Sequence, residues 1–246
     1  MVLVLVVLLC TLVGGALQRV SGMGVGMIAA PAFTLLLGPA AGVSLSNAAA
    51  VVSAVLLTLV LHRDVDWRRF LRLAPLLVAG SLAGAWAVRV LDIAWLEVVL
   101  GASILVAIAA SLGLQRRLAV RGPGAALASG AVAGFMNTTA GVAGPALAVY
   151  AVASRWDQRS WAATLQPIFL LANVTSLTTK SLLGSAGLDA GVPAGVWAAV
   201  LVGVPSGILL GGLVARRVPA GRARGLALVL AGTGGAVALV RGLLAL

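Results

Sequence analysis

The sequence predicts an all-α polytopic membrane protein built of two inverted repeats, and three observations predict it. Of the 246 residues, 61% are hydrophobic without counting glycine and only 9% are charged, whereas soluble domains reach about 45–50% apolar with glycine included. The apolar residues fall into eight blocks, four in each half. The first block of each half is interrupted by a polar, glycine-rich stretch at a matching place, and helix breaks in corresponding positions of two halves point to a binding site between the repeats.

A bilayer core about 30 Å thick needs roughly 20 apolar residues per crossing helix. The first block covers residues 2–37 and is broken over 18–26, Gln18-Arg19-Val20-Ser21-Gly22-Met23-Gly24-Val25-Gly26. Blocks at 43–61, 73–91 and 94–114 complete repeat 1, residues 1–117. Repeat 2, residues 118–246, opens with 125–153, broken at Asn137-Thr138-Thr139-Ala140-Gly141-Val142-Ala143-Gly144-Pro145. Blocks at 161–183, 192–214 and 226–246 follow, and the whole chain is one transmembrane domain. An offset of 118 residues maps Gly26 on Gly144 and Pro75 on Pro193.

Each first block admits two paths. As one straight helix, residues 2–37 would be about 54 Å long, too long for a single crossing. The block either crosses once with a tail or enters, breaks and returns as a re-entrant hairpin. Charge separates the two. If both first blocks cross, nine loop cations lie on one side and seven on the other. If both are hairpins, thirteen cations from 63–72, 116–121, 155–159 and 216–224 share one face, and Arg89, Lys180 and Arg241 lie opposite. The positive-inside rule selects the hairpins and makes the basic face cytoplasmic. One hairpin plus three crossings per half is an odd number of crossings, so the second half is inverted. The two hairpin tips are then expected to approach the midplane from opposite sides.

Irregular backbone at membrane depth is tolerated only in protein or along a wet cavity, so the breaks are the candidate site. Gly22, Gly24, Gly26, Gly141 and Gly144 permit unusual backbone angles and close approach, and Pro145 suits the first turn of the helix that follows. A half-helix starting there aims free N–H groups into the break, where they favour an anion. Gln18, Ser21, Asn137, Thr138 and Thr139 add neutral polar groups. Arg19 has two readings: an anion-binding cation, or a side chain that snorkels to the interface or pins the break. Asn47, Gln166 and Asn173 lie in apolar blocks beside the breaks and serve either as interhelical hydrogen bonds or as substrate contacts.

Other classes find little support. The net charge of +11 resides mostly in loops, which makes it a topology and headgroup charge and not a nucleic-acid footprint. A single Cys10 leaves no disulfide, CxxC or zinc motif, and one histidine with six acids leaves no metal site; no cofactor is expected. Cys10 reads as a core thiol, and the N-terminus as retained membrane structure. The acids Asp64, Asp66, Asp92, Glu97, Asp157 and Asp189 are placed at block ends or loops, which argues against a carboxylate proton relay and against a cation carrier. A rhomboid-type serine protease fails because Ser21 lacks the GxSG context and His62 stands at a helix end.

Gly22-Met23-Gly24-Val25-Gly26 followed by Pro31, and Ala140-Gly141-Val142-Ala143-Gly144-Pro145 followed by Tyr150, resemble the paired breaks of the sulfite exporter TauE/SafE family, as do the length and the four-block halves. The first break departs from the family's consecutive glycines in having Val25 between Gly24 and Gly26, and the second carries Asn137-Thr138-Thr139 ahead of it. The resemblance implies a non-enzymatic permease of the cytoplasmic membrane. It implies outward movement of sulfite, a sulfonate or a related sulfur-containing anion. The partners expected are that small anion and the lipid bilayer, with a monomer or homodimer as the assembly. The alternatives are a structural or partner-binding membrane protein, for which the basic face would serve, and an uptake permease for another small anion.

Overall fold

A computed structural model of the chain describes residues 2–113, 123–188, 191–215, 217 and 219–246. The repeat boundary at 117/118, Leu114, the loop residues Arg116, Arg117, Arg121 and Gly122, and Asp189 and Arg216 lie outside the described residues. Those described form ten α-helices and no strand. The first half holds α1 (Val2–Ser21), α2 (Val25–Leu37), α3 (Pro39–Leu61), α4 (Trp67–Val90) and α5 (Ile93–Gly113). The second holds α6 (Pro123–Ala140), α7 (Gly144–Ala153), α8 (Gln158–Leu182), α9 (Ala194–Val214) and α10 (Ala220–Leu244). Eight blocks become ten helices because each first block is two helices.

Local chemistry sets the helix ends. Gly38, at φ 81°, ends α2 by donating its N–H to Thr34 O, and Pro39 then opens α3. Asp66 caps α4 by accepting from Arg69 N, and Asp157 caps α8 by accepting from Arg159 N and Ser160 N. Each carboxylate satisfies backbone donors that have no intrahelical acceptor.

The two halves correspond helix for helix, in a register that differs from the sequence offset. Ser21 and Ala140 end α1 and α6, Val25 and Gly144 start α2 and α7, and Pro39 and Gln158 start α3 and α8. Each pair is 119 residues apart, so Gly26 corresponds to Pro145 and not to Gly144. From α4 and α9 onward the starts are 127 apart, because the connection after α8 is longer than that after α3. Pro75 lies inside α4 while Pro193 is the residue before α9, so those two prolines do not correspond.

Packing is reciprocal between the halves. The first helix of each half lies along the fourth helix of the other, α1 on α9 and α6 on α4. Gly207 and Gly211 meet the backbone of Leu12 and Ala16, as Gly80 and Gly84 meet that of Ala131 and Phe135. Such small-residue seams let helices approach closely where lipid supplies no hydrophobic drive. Two corresponding pairs, α3 with α8 and α5 with α10, pack antiparallel. Along α3 and α8, Ala40 lies by Gly187, Asn47 bonds Ser176 at 2.8 Å, and Asp66 N donates to Thr164 Oγ1 at 2.8 Å. Along α5 and α10, Val98 lies by Gly242, Gly101 by Gly235 and Ile108 by Gly232.

The first block of the first half folds back. Val25 Cα sits 2.9 Å from where a Cβ on Gly14 would stand, and Gly24 lies against Gly14 and Gln18. Eleven residues along a straight helix would separate Gly14 from Val25 by about 16 Å, so the chain reverses at the break. Two of the basic loops, 63–69 and 155–159, also meet. Arg159 pairs with Asp64 at 3.0 Å, and the Arg69 guanidinium lies 4.6 Å over the Trp156 ring. Eight simple crossings would put residues 63–69 and 155–159 on opposite faces.

Two placements differ from the sequence reading. Glu97 was expected at a block end; it lies one turn inside α5, 4% exposed, and pairs with Arg241 at 3.2 Å. Lys180 was counted among loop cations; it lies inside α8 and is fully buried. Both escape the hydropathy pattern because their surroundings are protein. Among the described residues, five helices are long and apolar enough to cross a membrane, α1, α3, α4, α9 and α10, and large apolar side chains such as Leu59, Trp86, Leu201 and Leu213 are exposed outward. An exposed apolar surface of that extent belongs against lipid.

Candidate functional site

At the first break α1 ends at Ser21, and Gly22 turns the chain at φ 85°, its N–H donating to Gln18 O at 2.8 Å. A side chain at that backbone angle would be strained. Ser21 Oγ lies 2.8 Å from both Leu17 O and Met23 O, which ties the turn together. Gln18 bridges the reversal. Its Oε1 accepts from Val25 N at 3.0 Å, and its Nε2 donates to Gln166 Oε1 at 2.9 Å. Gln166 Nε2 reaches Gly22 O at 3.2 Å and Ala162 O at 2.9 Å. Two buried amides thereby satisfy the broken backbone.

The second break repeats the turn with other chemistry. Gly141 takes φ 69°, its N–H donating to Asn137 O at 3.0 Å. Asn137 Nδ2 donates to Asn173 Oδ1 at 3.0 Å, and Asn173 Nδ2 donates to Phe169 O at 2.7 Å. Thr139 Oγ1 bonds Phe135 O at 2.9 Å. Thr138 Oγ1 and Asn47 Oδ1 are buried without a partner among the described residues.

The tips do not stop level with one another. Gly22 reaches Ala162 and Leu165 near the start of α8, and Gly141 reaches Val43 and Asn47 near the start of α3. Because α3 and α8 are antiparallel, the tips overlap, and the starts of the two return helices come together: Gly26 lies on Gly141 O, and Gly144 lies on the Met23 side chain. Between them is a cavity of about 20 Å³, room for a water or two and less than an oxyanion needs. Its lining comes from both halves, and eight of the thirteen lining residues are corresponding pairs, Gln18 with Asn137, Met23 with Val142, Gly24 with Ala143 and Ala50 with Phe169. Neither α2 nor α7 has a capping side chain on its N-cap residue, so two helix N-termini face one small polar cavity. Their first-turn N–H groups and dipoles favour negative charge.

Of the residues singled out in the sequence, Gln18, Gly24, Gly26, Asn137, Gly141, Gly144 and Asn173 line this cavity. Ser21, Gly22 and Gln166 hold the first turn behind it, and Pro145 lies buried in the first turn of α7. Asn47 stands beside Gly141 and bonds Ser176. Thr138 and Thr139 face a second cleft, with Lys180. Arg19 stands apart: it packs on Gly211 and Gly212 of α9, is partly exposed and is not in the cavity lining. Sequence reasoning missed Met23, Met27, Ala50, Val142, Ala143 and Phe169 as lining residues, which carry no polar signal. It also missed Lys180, for which a signal exists. Gln166, Asn173 and Lys180 recur every seven residues, two helical turns, and so share one stripe of α8.

No curated protein and no solved structure matches the chain. The family model described as sulfite exporter TauE/SafE matches residues 7–239, nearly the whole length, and the chain belongs to the sulfite exporter TauE/SafE family of membrane transporters.

Proposed function

We propose that this chain is a permease that exports sulfite, a sulfonate or a similar small sulfur-containing anion, bound between the starts of α2 and α7. The observation that carries the reading is the meeting of two helix N-termini, one from each half, at a cavity lined by residues of both halves, four of them with their counterparts. A preformed pair of dipoles supplies positive potential without a fixed charge, so an anion is held yet released. The cavity at its present size is a closed state, and transport requires the two hairpins to part on one side at a time.

The antiparallel pairs α3/α8 and α5/α10 support inverted repeats, residues 1–117 and 118–246, about an axis in the membrane plane. Alternating access then exchanges two equivalent arrangements of the halves. The shared basic face supports a cytoplasmic-membrane location with that face inward. Glu97, the carboxylate buried within a helix, is paired with Arg241 and leaves the cavity without an acid to relay protons. An inside-negative potential drives an anion outward with about 2.3 kcal/mol per charge per 100 mV. The reading assigns the chain no catalysis.

Flux of sulfite, sulfate and methanesulfonate into proteoliposomes tests it. Saturable flux of at least one anion is expected, and no flux of any of the three would overturn the assignment. The topology has its own test. Cysteines replacing Arg69 and Arg217 are expected to react with an impermeant maleimide from the same face, and labelling from opposite faces would remove the hairpins.

A further inference from the structure

Lys180 is fully buried, and its Nζ has no hydrogen-bond or ion-pair partner among the described residues. An ammonium taken out of water and left unpaired is costly, and such groups inside membrane proteins mark ion pathways. It lines a tight cleft with Thr138, Thr139, Pro39 and Ala40. Thr138 Oγ1 is also fully buried and without a partner. Pro39 and Ala40 are the first turn of the 23-residue α3, whose N-cap residue Gly38 supplies no capping side chain. No carboxylate lines the cleft; Glu97, next to the lining residue Leu96, is held by Arg241. Three separate features thus favour negative charge at one place: an ammonium, a hydroxyl and a helix N-terminus.

The cleft adjoins the central cavity on two helices. Thr138 follows the cavity residue Asn137 on α6, and Lys180 is the next step after Asn173 on the polar stripe of α8. In this state the cleft leaves no room for a water molecule, so the ammonium is sealed in. We infer that Lys180, Thr138 and the first turn of α3 form a second oxyanion site, through which the anion passes between the central cavity and the face opposite the basic loops. The inference rests on the permease reading and adds to it the cation that pairs with the substrate. The cleft opens as the second hairpin tip moves, and the entering anion neutralises Lys180.

Thermal melting in detergent and proteoliposome flux test this on the parent, Lys180→Met and Lys180→Arg, with sulfite, sulfate and methanesulfonate as probes. Lys180→Met is expected to melt higher than the parent without anion, because an unpaired buried charge is gone. The same variant is expected to lose about tenfold or more in anion affinity and flux. Lys180→Arg, which keeps the charge, is expected to hold flux within about threefold of the parent. If Lys180→Met melts lower and binds anion as the parent does, Lys180 is structural and the inference fails while the permease reading stands. If the parent itself neither moves nor is stabilised by any of the three anions, both fail. Should Lys180→Met not fold, Thr138→Val carries the test: a loss of about threefold in affinity is expected, and unchanged affinity overturns the site.

Discussion

The two breaks have the same backbone turn and opposite states of completion. At the first, Gln18 and Gln166 occupy the free backbone groups, Val25 N is capped, and the nearby cation Arg19 reaches the protein's outside. At the second, Asn137 and Asn173 are bonded, but Thr138 Oγ1, Asn47 Oδ1 and Lys180 Nζ are buried and unpartnered among the described residues. Arg19 and Thr138 even occupy corresponding places, each against a glycine of the neighbouring fourth helix, Gly211 or Gly84. One turn is fastened, and the other keeps unpaired polar groups beside it.

The comparison breaks most sharply at the centre. Gly144→Leu places a branched side chain on Met23 where the tips meet and is expected to cut flux by about a hundredfold, since small misplacements at a site cost that much. The protein should still reach the membrane; normal flux would move the pathway away from the breaks. Next in size is stability. Gln18→Leu orphans Val25 N and Gln166 together and is expected to lower unfolding free energy in micelles by about 1–2 kcal/mol. Thr138→Val removes a hydroxyl that bonds nothing and is expected to change stability by less than about 0.5 kcal/mol. Equal losses in the two variants would erase the distinction between a fastened turn and one with unpaired polar groups beside it. The smallest effect belongs to Arg19→Gln, expected to alter flux by about twofold or less because a partly exposed side chain on α9 acts at the interface. A loss above tenfold would return Arg19 to the substrate.

Much of this was legible in the residues because lipid punishes irregular backbone. A glycine-rich polar stretch inside an apolar run has to turn, so both breaks and the sharing of a face by the 63–69 and 155–159 loops followed from composition and charge. The one-residue register error had a specific cause. The sequence match aligned the glycines after the turn, Gly26 with Gly144, whereas the geometry is fixed by the glycine that makes the turn, Gly22 with Gly141. The orientation of Arg19 was not legible, since it depends on which neighbour lies against that face of α1. Lys180 was misread because a cation near the end of an apolar block resembles a loop cation until the surrounding helices are in place.

The polar stripe of α8 also bears on how the protein is made. Gln166, Asn173 and Lys180 leave this 25-residue helix outside the group that, among the described residues, is long and apolar enough to cross a membrane, and polar and charged side chains oppose insertion into lipid. Its polar stripe meets α1 and α6 through Gln18 and Asn137, and Asn47 of α3 bonds Ser176 on the same helix. Biogenesis therefore depends on the order of synthesis: α1, α3 and α6 emerge first and form the lining that α8 enters. Fused alone between two reporter domains, α8 is expected to remain uninserted, and to insert once residues 2–153 precede it.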